Sequence, residues 1–225
     1  MHTIKIWRDP YDMGWSTTRR KEIEFQPGVT VLVGCNGIGK STLLHNIQEQ
    51  LKEEFVPYYS FNNLKDGGNT KVSELMFKSD YTMVANMITS SEGENISNNI
   101  SIIASNIGRF VTTGDNGEKN PFIKIVEKEK ENTSKERWIL LDAMDSGYSI
   151  DNVIELKDFF DLILDDSQRS GLEVYIVVSA NEYELAANMN CLDVAEGKYV
   201  TFDGYDDFKQ FILKSREKKN KRYEV

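Results

Sequence analysis

The sequence predicts an α/β fold in which a mainly parallel sheet is flanked by helices. Two observations support this: apolar runs typical of buried strands alternate with helical segments along the chain, and one strand leads through a glycine-rich loop into an amphipathic helix. The 225 residues, 40% of them hydrophobic, suffice for one domain with a substantial core. We expect a single domain over residues 1–213, with a helical, inserted part at about 62–137 and a basic tail at 214–225.

The N-terminal part is predicted to be antiparallel β structure followed by the first strand of the main sheet. His2–Trp7 and Lys21–Phe25 have strand-like patterns, and a turn-rich stretch joins them. After a turn at 26–28, Val29–Val33 is a short apolar run that ends at Gly34. From Ser41 onward the apolar residues recur at helical spacing, which predicts a helix.

The remaining elements follow the same alternation. Residues 112–137 are polar and charge-rich, which indicates a surface insertion. The patterns predict, in chain order, a strand at Val56–Phe61, a helix at Ser91–Phe110, a strand at Trp138–Leu141, a helix at Asp151–Gln168, a strand at Val174–Ser179, a strand at Lys198–Phe202 and a helix at Asp207–Lys214.

Composition excludes several classes of function. With 27 Lys and Arg against 36 Asp and Glu, the net charge of −9 argues against a broad basic face for nucleic acid or anionic membrane. The sequence contains no apolar run long enough to cross a bilayer, and its start has no secretion signal. Two cysteines and two histidines are too few for a disulfide framework or a four-thiolate zinc site. We expect a cytoplasmic protein with reduced thiols.

The segment Gly34-Cys35-Asn36-Gly37-Ile38-Gly39-Lys40-Ser41 matches G-x-x-x-x-G-K-[ST] between a predicted strand and a predicted helix. In such a loop, backbone N–H groups and the helix N-terminus bind phosphates, Lys40 reaches the β- and γ-phosphates, and Ser41 ligates Mg²⁺. A glycine turn that precedes a helix by chance is the alternative. The predicted nucleotide-binding residues are Gly34, Asn36, Gly37, Ile38, Gly39, Lys40, Ser41 and Thr42.

A second magnesium ligand is expected where another buried strand ends in an acidic residue. Trp138–Leu141 is such a strand, and Asp142 follows it. The alternative is a strand that simply runs into a loop. Beside a phosphate loop, we take Asp142 as the metal-binding candidate.

The form G-x-N-G-x-G-K-S-T, here Gly34 to Thr42, resembles the phosphate loop of ATP-binding-cassette ATPases. The branch it is most similar to contains the structural-maintenance-of-chromosomes heads, the DNA-repair ATPases and small AAA-labelled proteins of phages and bacteria. Ser90–Glu94 is similar to the family's signature L-S-G-G-Q, which binds the γ-phosphate held by the other subunit. The resemblance implies ATP and Mg²⁺ as cofactors, contacts from Ser91 and Gly93, and an ATP-sandwich homodimer. A helix-capping box at Ser91–Glu94 remains the alternative.

Two positions depart from the family pattern. The family's catalytic glutamate falls on Ala143, which cannot accept a proton, and Asp145 is the candidate substitute. Asn181 stands where related proteins carry a histidine that contacts the γ-phosphate; it is equally well interpreted as the N-cap of a helix at 182–187. The two departures together predict slow turnover.

Other contacts are assigned by position along the chain. Asn62 or Asn63 is a polar equivalent of the family's glutamine-bearing loop. Trp15, Arg19 and Arg20 are candidates for contact with adenine, with packing as the alternative for Trp15. The family's DNA-tethering members carry long coiled-coil arms, whereas Thr42 to Ser90 is short and has no heptads.

Three functions are therefore compared. The first is a slow ATPase head that dimerises on ATP and switches an unidentified protein partner. The second is a non-hydrolysing ATP-binding module, and the third is a phosphate-loop kinase, which the lack of an arginine-rich lid disfavours. The basic run Lys214–Arg222 either contacts nucleic-acid phosphates or is a solvated chain end.

Overall fold

A six-stranded sheet lies at the centre of the structure, a computed structural model that describes residues 1–7, 19–66, 92–115 and 134–221. Its strands follow the order β4-β5-β6-β3-β7-β8; all pairs are parallel except β7 with β8. A separate antiparallel pair, β1 with β2, lies near the N-terminus. The strands are β1 (His2–Lys5), β2 (Glu22–Phe25), β3 (Gly28–Val33), β4 (Tyr58–Asn62), β5 (Glu136–Asp142), β6 (Glu173–Ser179), β7 (Asn190–Asp193) and β8 (Lys198–Val200).

Six helices complete the described part of the chain. Their bounds are α1 (Lys40–Glu53), α2 (Asn63–Asp66), α3 (Glu92–Thr113), α4 (Ile150–Arg169), α5 (Tyr183–Ala186) and α6 (Tyr205–Lys221). The mixed α/β architecture, the mostly parallel sheet flanked by helices and the N-terminal antiparallel pair are confirmed. None of the helices in these described ranges is long and apolar enough to cross a membrane.

The two faces of the sheet are covered by different elements because successive strand residues point in opposite directions. Ile139 and Leu141 of β5 join the core cluster that contains α3 and α4. Trp138 and Leu140 of the same strand join the second cluster, which contains α1 and the β1–β2 pair. Strands buried on both faces explain the uninterrupted apolar runs in the sequence.

The parallel strands place several loops at one edge of the sheet. The loop between β3 and α1 and the loop between β5 and α4 both leave the carboxyl ends of their strands. The segments that follow β6 and β7 leave the same edge. Ligands of open α/β sheets bind in the crevice outside this edge. The predicted phosphate loop and Asp142 therefore lie where a ligand site is expected.

Two parts of the C-terminal region differ from the prediction. Strand β7, a short segment with Cys191 and Leu192 fully buried, is absent from the predicted elements. Helix α6 continues to Lys221 instead of ending at Lys214, and Ser215 within it is 4% exposed. Residues 214–221 are therefore helical instead of a frayed chain end. Ser215 packs against the domain, whereas Lys214, Arg216, Lys218 and Lys221 are exposed.

Candidate functional site

The loop that joins β3 to α1 depends on its glycines. Gly34, Gly37 and Gly39 have φ values of 145°, 76° and 116°, a region that side chains rarely allow. A Cβ atom at Gly34 would also lie 2.9 Å from Cγ2 of Ile38. The loop backbone can therefore curve tightly before the first turn of α1, as a phosphate-binding loop requires.

Lys40 is the first residue of α1 and is only 8% exposed. Its Nζ donates a hydrogen bond to the carbonyl oxygen of Gly34 at 2.7 Å, so the side chain folds back over its own loop. Burial lowers the pKa of Lys40, while the charges of Asp145, Cys35 and Asp142 act in the opposite direction. Asp142, the last residue of β5, and Asp145, which follows the strand, are thus both within electrostatic reach of the Lys40 ammonium.

Asp142 is held from the ends of both neighbouring strands. Asn62, its register partner on β4, donates from Nδ2 to Oδ2 at 2.9 Å. Ser179, the last residue of β6, donates from Oγ to Oδ1 at 2.6 Å. The carboxylate is half-buried, and its two partners are neutral side chains. The two hydrogen bonds therefore fix the orientation of the Asp142 side chain, and neither partner carries a positive charge.

Ser179 links Asp142 to the backbone of the next residue. Its Oγ accepts a hydrogen bond from the Ala143 N–H at 2.8 Å. Ala143 has a φ of 54° and is 7% exposed, so a buried methyl group occupies the position that the resemblance assigns to the catalytic glutamate. The backbone turn at Ala143 is held in the left-handed region by this contact with β6.

Asp145 is 3% exposed and accepts from the segment that follows β6. Its Oδ2 accepts from the N–H groups of Asn181 at 2.5 Å and Glu182 at 2.8 Å, and its Oδ1 accepts from Nδ2 of Asn181 at 3.3 Å. The N-cap of α5 is Glu182, with no side-chain cap hydrogen bond. The interpretation of Asn181 as a helix N-cap is therefore wrong, and Asp145 joins the Asp142 loop to Asn181.

The other predicted residues are placed as follows. Asn63 donates from Nδ2 to the carbonyl of Ser146 at 3.1 Å, so Asn62, rather than Asn63, contacts Asp142. Ser41 is exposed and Thr42 is half-buried at the start of α1.

The residues predicted to contact adenine or the partner's nucleotide are only partly described. Arg19 pairs with Glu196 at 3.4 Å, and Arg20 is exposed. Gly93 lies in the first turn of α3, whereas Trp15 and Ser91 lie outside the described residues.

Helix α6 contacts the phosphate loop at two points, which the sequence alone does not indicate. The Cys35 N–H donates to the buried Oγ of Ser215 at 3.1 Å. One turn further along, Nζ of Lys219 donates to the carbonyl of Asn36 at 3.0 Å. These contacts join residues 180 and 183 positions apart. The local sequence signal for these contacts is the spacing of Ser215 and Lys219, which lie four positions apart and so on one side of a helix.

Comparisons with known proteins identify no family. No protein-family model matches the chain, and no curated protein matches it. Among solved structures, it is similar to the crystal structure of Stu0660 of Streptococcus thermophilus, with 11% identity and a TM-score of 0.37. The similarity covers 90% of this chain and 76% of the other.

Proposed function

We propose that the chain is a phosphate-loop NTPase head of the ATP-binding-cassette type that binds ATP with Mg²⁺. The observation that supports this most strongly is the position of Lys40, a buried ammonium that its own glycine loop holds, with Asp142 and Asp145 within electrostatic reach. Its present partner is the neutral carbonyl of Gly34. Phosphate oxygens form stronger, charge-assisted hydrogen bonds, so a triphosphate would replace that carbonyl.

The proposed metal ligands are the Ser41 hydroxyl and the Asp142 carboxylate. Within the described ranges, no group of three or more His, Cys, Asp or Glu side chains is arranged to hold a metal ion. Magnesium is typically bound by one or two carboxylates together with nucleotide phosphates and water, so hard oxygen donors such as these two fit it. When bound, the ion would neutralise charge between the β- and γ-phosphates.

In this proposal Asp145 is a positioning residue. The Asn181 and Glu182 N–H groups already occupy its Oδ2, and burial keeps it from water. It therefore holds Asn181 at the carboxyl end of β6, beside Asp142. With Ala143 in place of a glutamate, no carboxylate of this loop polarises water freely, which favours slow hydrolysis.

The proposed cycle is dimerisation on ATP, with Ser91 and Gly93 of one copy facing the nucleotide of the other, and release after slow hydrolysis. Solution mass with ATP, with ADP and without nucleotide tests it, for wild type and for Lys40→Ala. We expect an ATP-dependent dimer for wild type alone. A wild-type mass that does not respond to ATP would contradict the dimer.

The second candidate is a non-hydrolysing ATP-binding module, which the buried methyl of Ala143 and the occupied carboxylate of Asp145 favour. Phosphate release from Mg-ATP by wild type and by Ala143→Glu distinguishes the two. The module predicts no release by wild type. Release at an ordinary enzyme rate that disappears in Asp142→Asn would exclude it.

A further inference from the structure

One face of helix α6 packs against the first half of the phosphate loop. Ser215 and Lys219 are one turn apart, so their side chains leave the same side of the helix. The Ser215 hydroxyl is buried against Cys35 and would lie 3.4 Å from a Cβ at Gly34. The helix is thus fixed against the loop at one buried point, from which Lys219 reaches outward.

The Lys219 ammonium lies over the bend of the loop. It donates to the Asn36 carbonyl at 3.0 Å and would lie 3.5 Å from a Cβ at Gly37. Lys40 donates in the same way to the Gly34 carbonyl, two residues earlier. Two ammonium groups therefore bind carbonyls of one short loop segment. One comes from α1 and the other from α6.

The neighbouring cations of α6 have a different environment. Lys218 pairs with Glu196 at 2.8 Å, and Arg19 pairs with the same carboxylate at 3.4 Å. Lys221 lines the same small cavity as these three side chains. Within the described part of the chain, Lys219 donates instead to a neutral carbonyl, and a phosphate oxygen is a stronger acceptor than that carbonyl.

We propose that Lys219 is a second polyphosphate-binding cation, which helix α6 supplies to the phosphate loop from about 180 residues away in sequence. This inference rests on the proposed function and adds a binding residue to it. The ammonium has three donors on a flexible stem, so it can keep one hydrogen bond to Asn36 and direct another at a phosphate oxygen. Its attraction for the ligand increases with the ligand's negative charge, so ATP gains more than ADP.

The test is binding of Mg-ATP and Mg-ADP to the full chain by titration calorimetry. Lys219→Gln keeps an N–H donor for the Asn36 carbonyl but removes the charge, and Lys219→Arg keeps the charge. Lys214→Gln makes the same change in net charge at an exposed position of the same helix. We expect Lys219→Gln to weaken ATP binding roughly tenfold and ADP binding less, with Lys219→Arg close to wild type.

A purely structural role for Lys219 predicts a different pattern. The amide of Lys219→Gln would then preserve affinity, and the dependence of ATP affinity on salt would match that of Lys214→Gln. Equal ATP affinities in Lys219→Gln and Lys214→Gln, with wild type binding ATP and Lys40→Ala not, would overturn this inference alone. Wild type that binds no ATP would overturn the proposed function as well. Thermal unfolding without nucleotide identifies any variant that fails to fold.

Discussion

The loop after β3 and the loop after β5 meet at one edge of the sheet but are held in opposite ways. The phosphate loop is held by cations that donate to it: Lys40 binds its Gly34 carbonyl and Lys219 binds its Asn36 carbonyl. The Ser215 hydroxyl adds a neutral contact, because it accepts from the Cys35 N–H. The loop after β5 is held by carboxylates, with Asp142 accepting from side chains and Asp145 from backbone N–H groups. Each ammonium can exchange a neutral carbonyl for a phosphate oxygen, which is a stronger acceptor, whereas the N–H groups bound to Asp145 already have a charged acceptor. The first loop is therefore suited to a ligand and the second to support.

The largest expected effect is on the supporting loop. Asp145→Ala leaves the N–H groups of Asn181 and Glu182 without the buried, charged acceptor that they share, so we expect the free energy of unfolding to fall by about 3 kcal/mol. Asp142→Ala is the matched control, because its partners are side chains. The half-buried Asn62 amide can turn toward water, and the Ser179 hydroxyl keeps its hydrogen bond from the Ala143 N–H, so the cost should be about 1 kcal/mol. Urea denaturation measures both. Equal losses would contradict the distinction between the two carboxylates.

The next effect concerns the anchoring of the phosphate loop. Ser215→Ala removes the acceptor of the buried Cys35 N–H, and we expect it to lower the free energy of unfolding by about 1 to 2 kcal/mol. The control is Ser167→Ala, another buried helical serine, whose hydroxyl donates to the Ile163 carbonyl in its own helix. A loss at Ser215 no larger than at Ser167 would show that α6 does not support the loop.

The smallest expected effect is a change of stability with pH at the amino end of β5, at the opposite end of the strand from Asp142. At the amino end, the hydrogen bond that His2 donates to the Glu136 carboxylate raises the pKa of His2, and Glu54 adds to the increase. A raised folded-state pKa stabilises the fold fully below the unfolded value of about 6.5, and the stabilisation is lost as pH rises through the folded value. We expect a loss of about 1 kcal/mol between pH 6 and pH 9, absent in His2→Gln.

Urea denaturation at the two pH values measures this change. His45→Gln is the control, because His45 is exposed on α1 and lies 3.9 Å from the Glu49 carboxylate, a longer distance than either carboxylate contact of His2. If His2→Gln retained the full pH dependence, the stability change would not originate at the amino end of β5.

The fold was predictable where a local pattern determines the structure. The run before Gly34, the glycines and the lysine identify β3, its loop and α1, and the apolar run before Asp142 identifies β5, because both strands are buried on two faces. Strand β7 was missed because four residues are too few to show a period. The end of α6 was missed because its basic residues resemble a solvated chain end.

The places of the candidate residues in the fold were predictable, whereas their hydrogen-bond partners were not. Asp142 was recognised by its strand, and Asn62 was one of two alternatives that the register between β4 and β5 decides. The contacts of Ser179, Ser215 and Lys219 join segments between 37 and 183 positions apart. The spacing of apolar residues does not predict these long-range hydrogen bonds, because they depend on how the helices and strands pack.

The contact between α6 and the phosphate loop also has a consequence for synthesis. The ribosome makes Cys35 180 residues before Ser215, so the loop exists throughout the synthesis of that stretch without the helix that holds it. Closing a chain segment of this length carries an entropic cost that only the assembled sheet offsets. The nascent chain therefore acquires the contact between α6 and the loop only after all strands of the sheet have been synthesised.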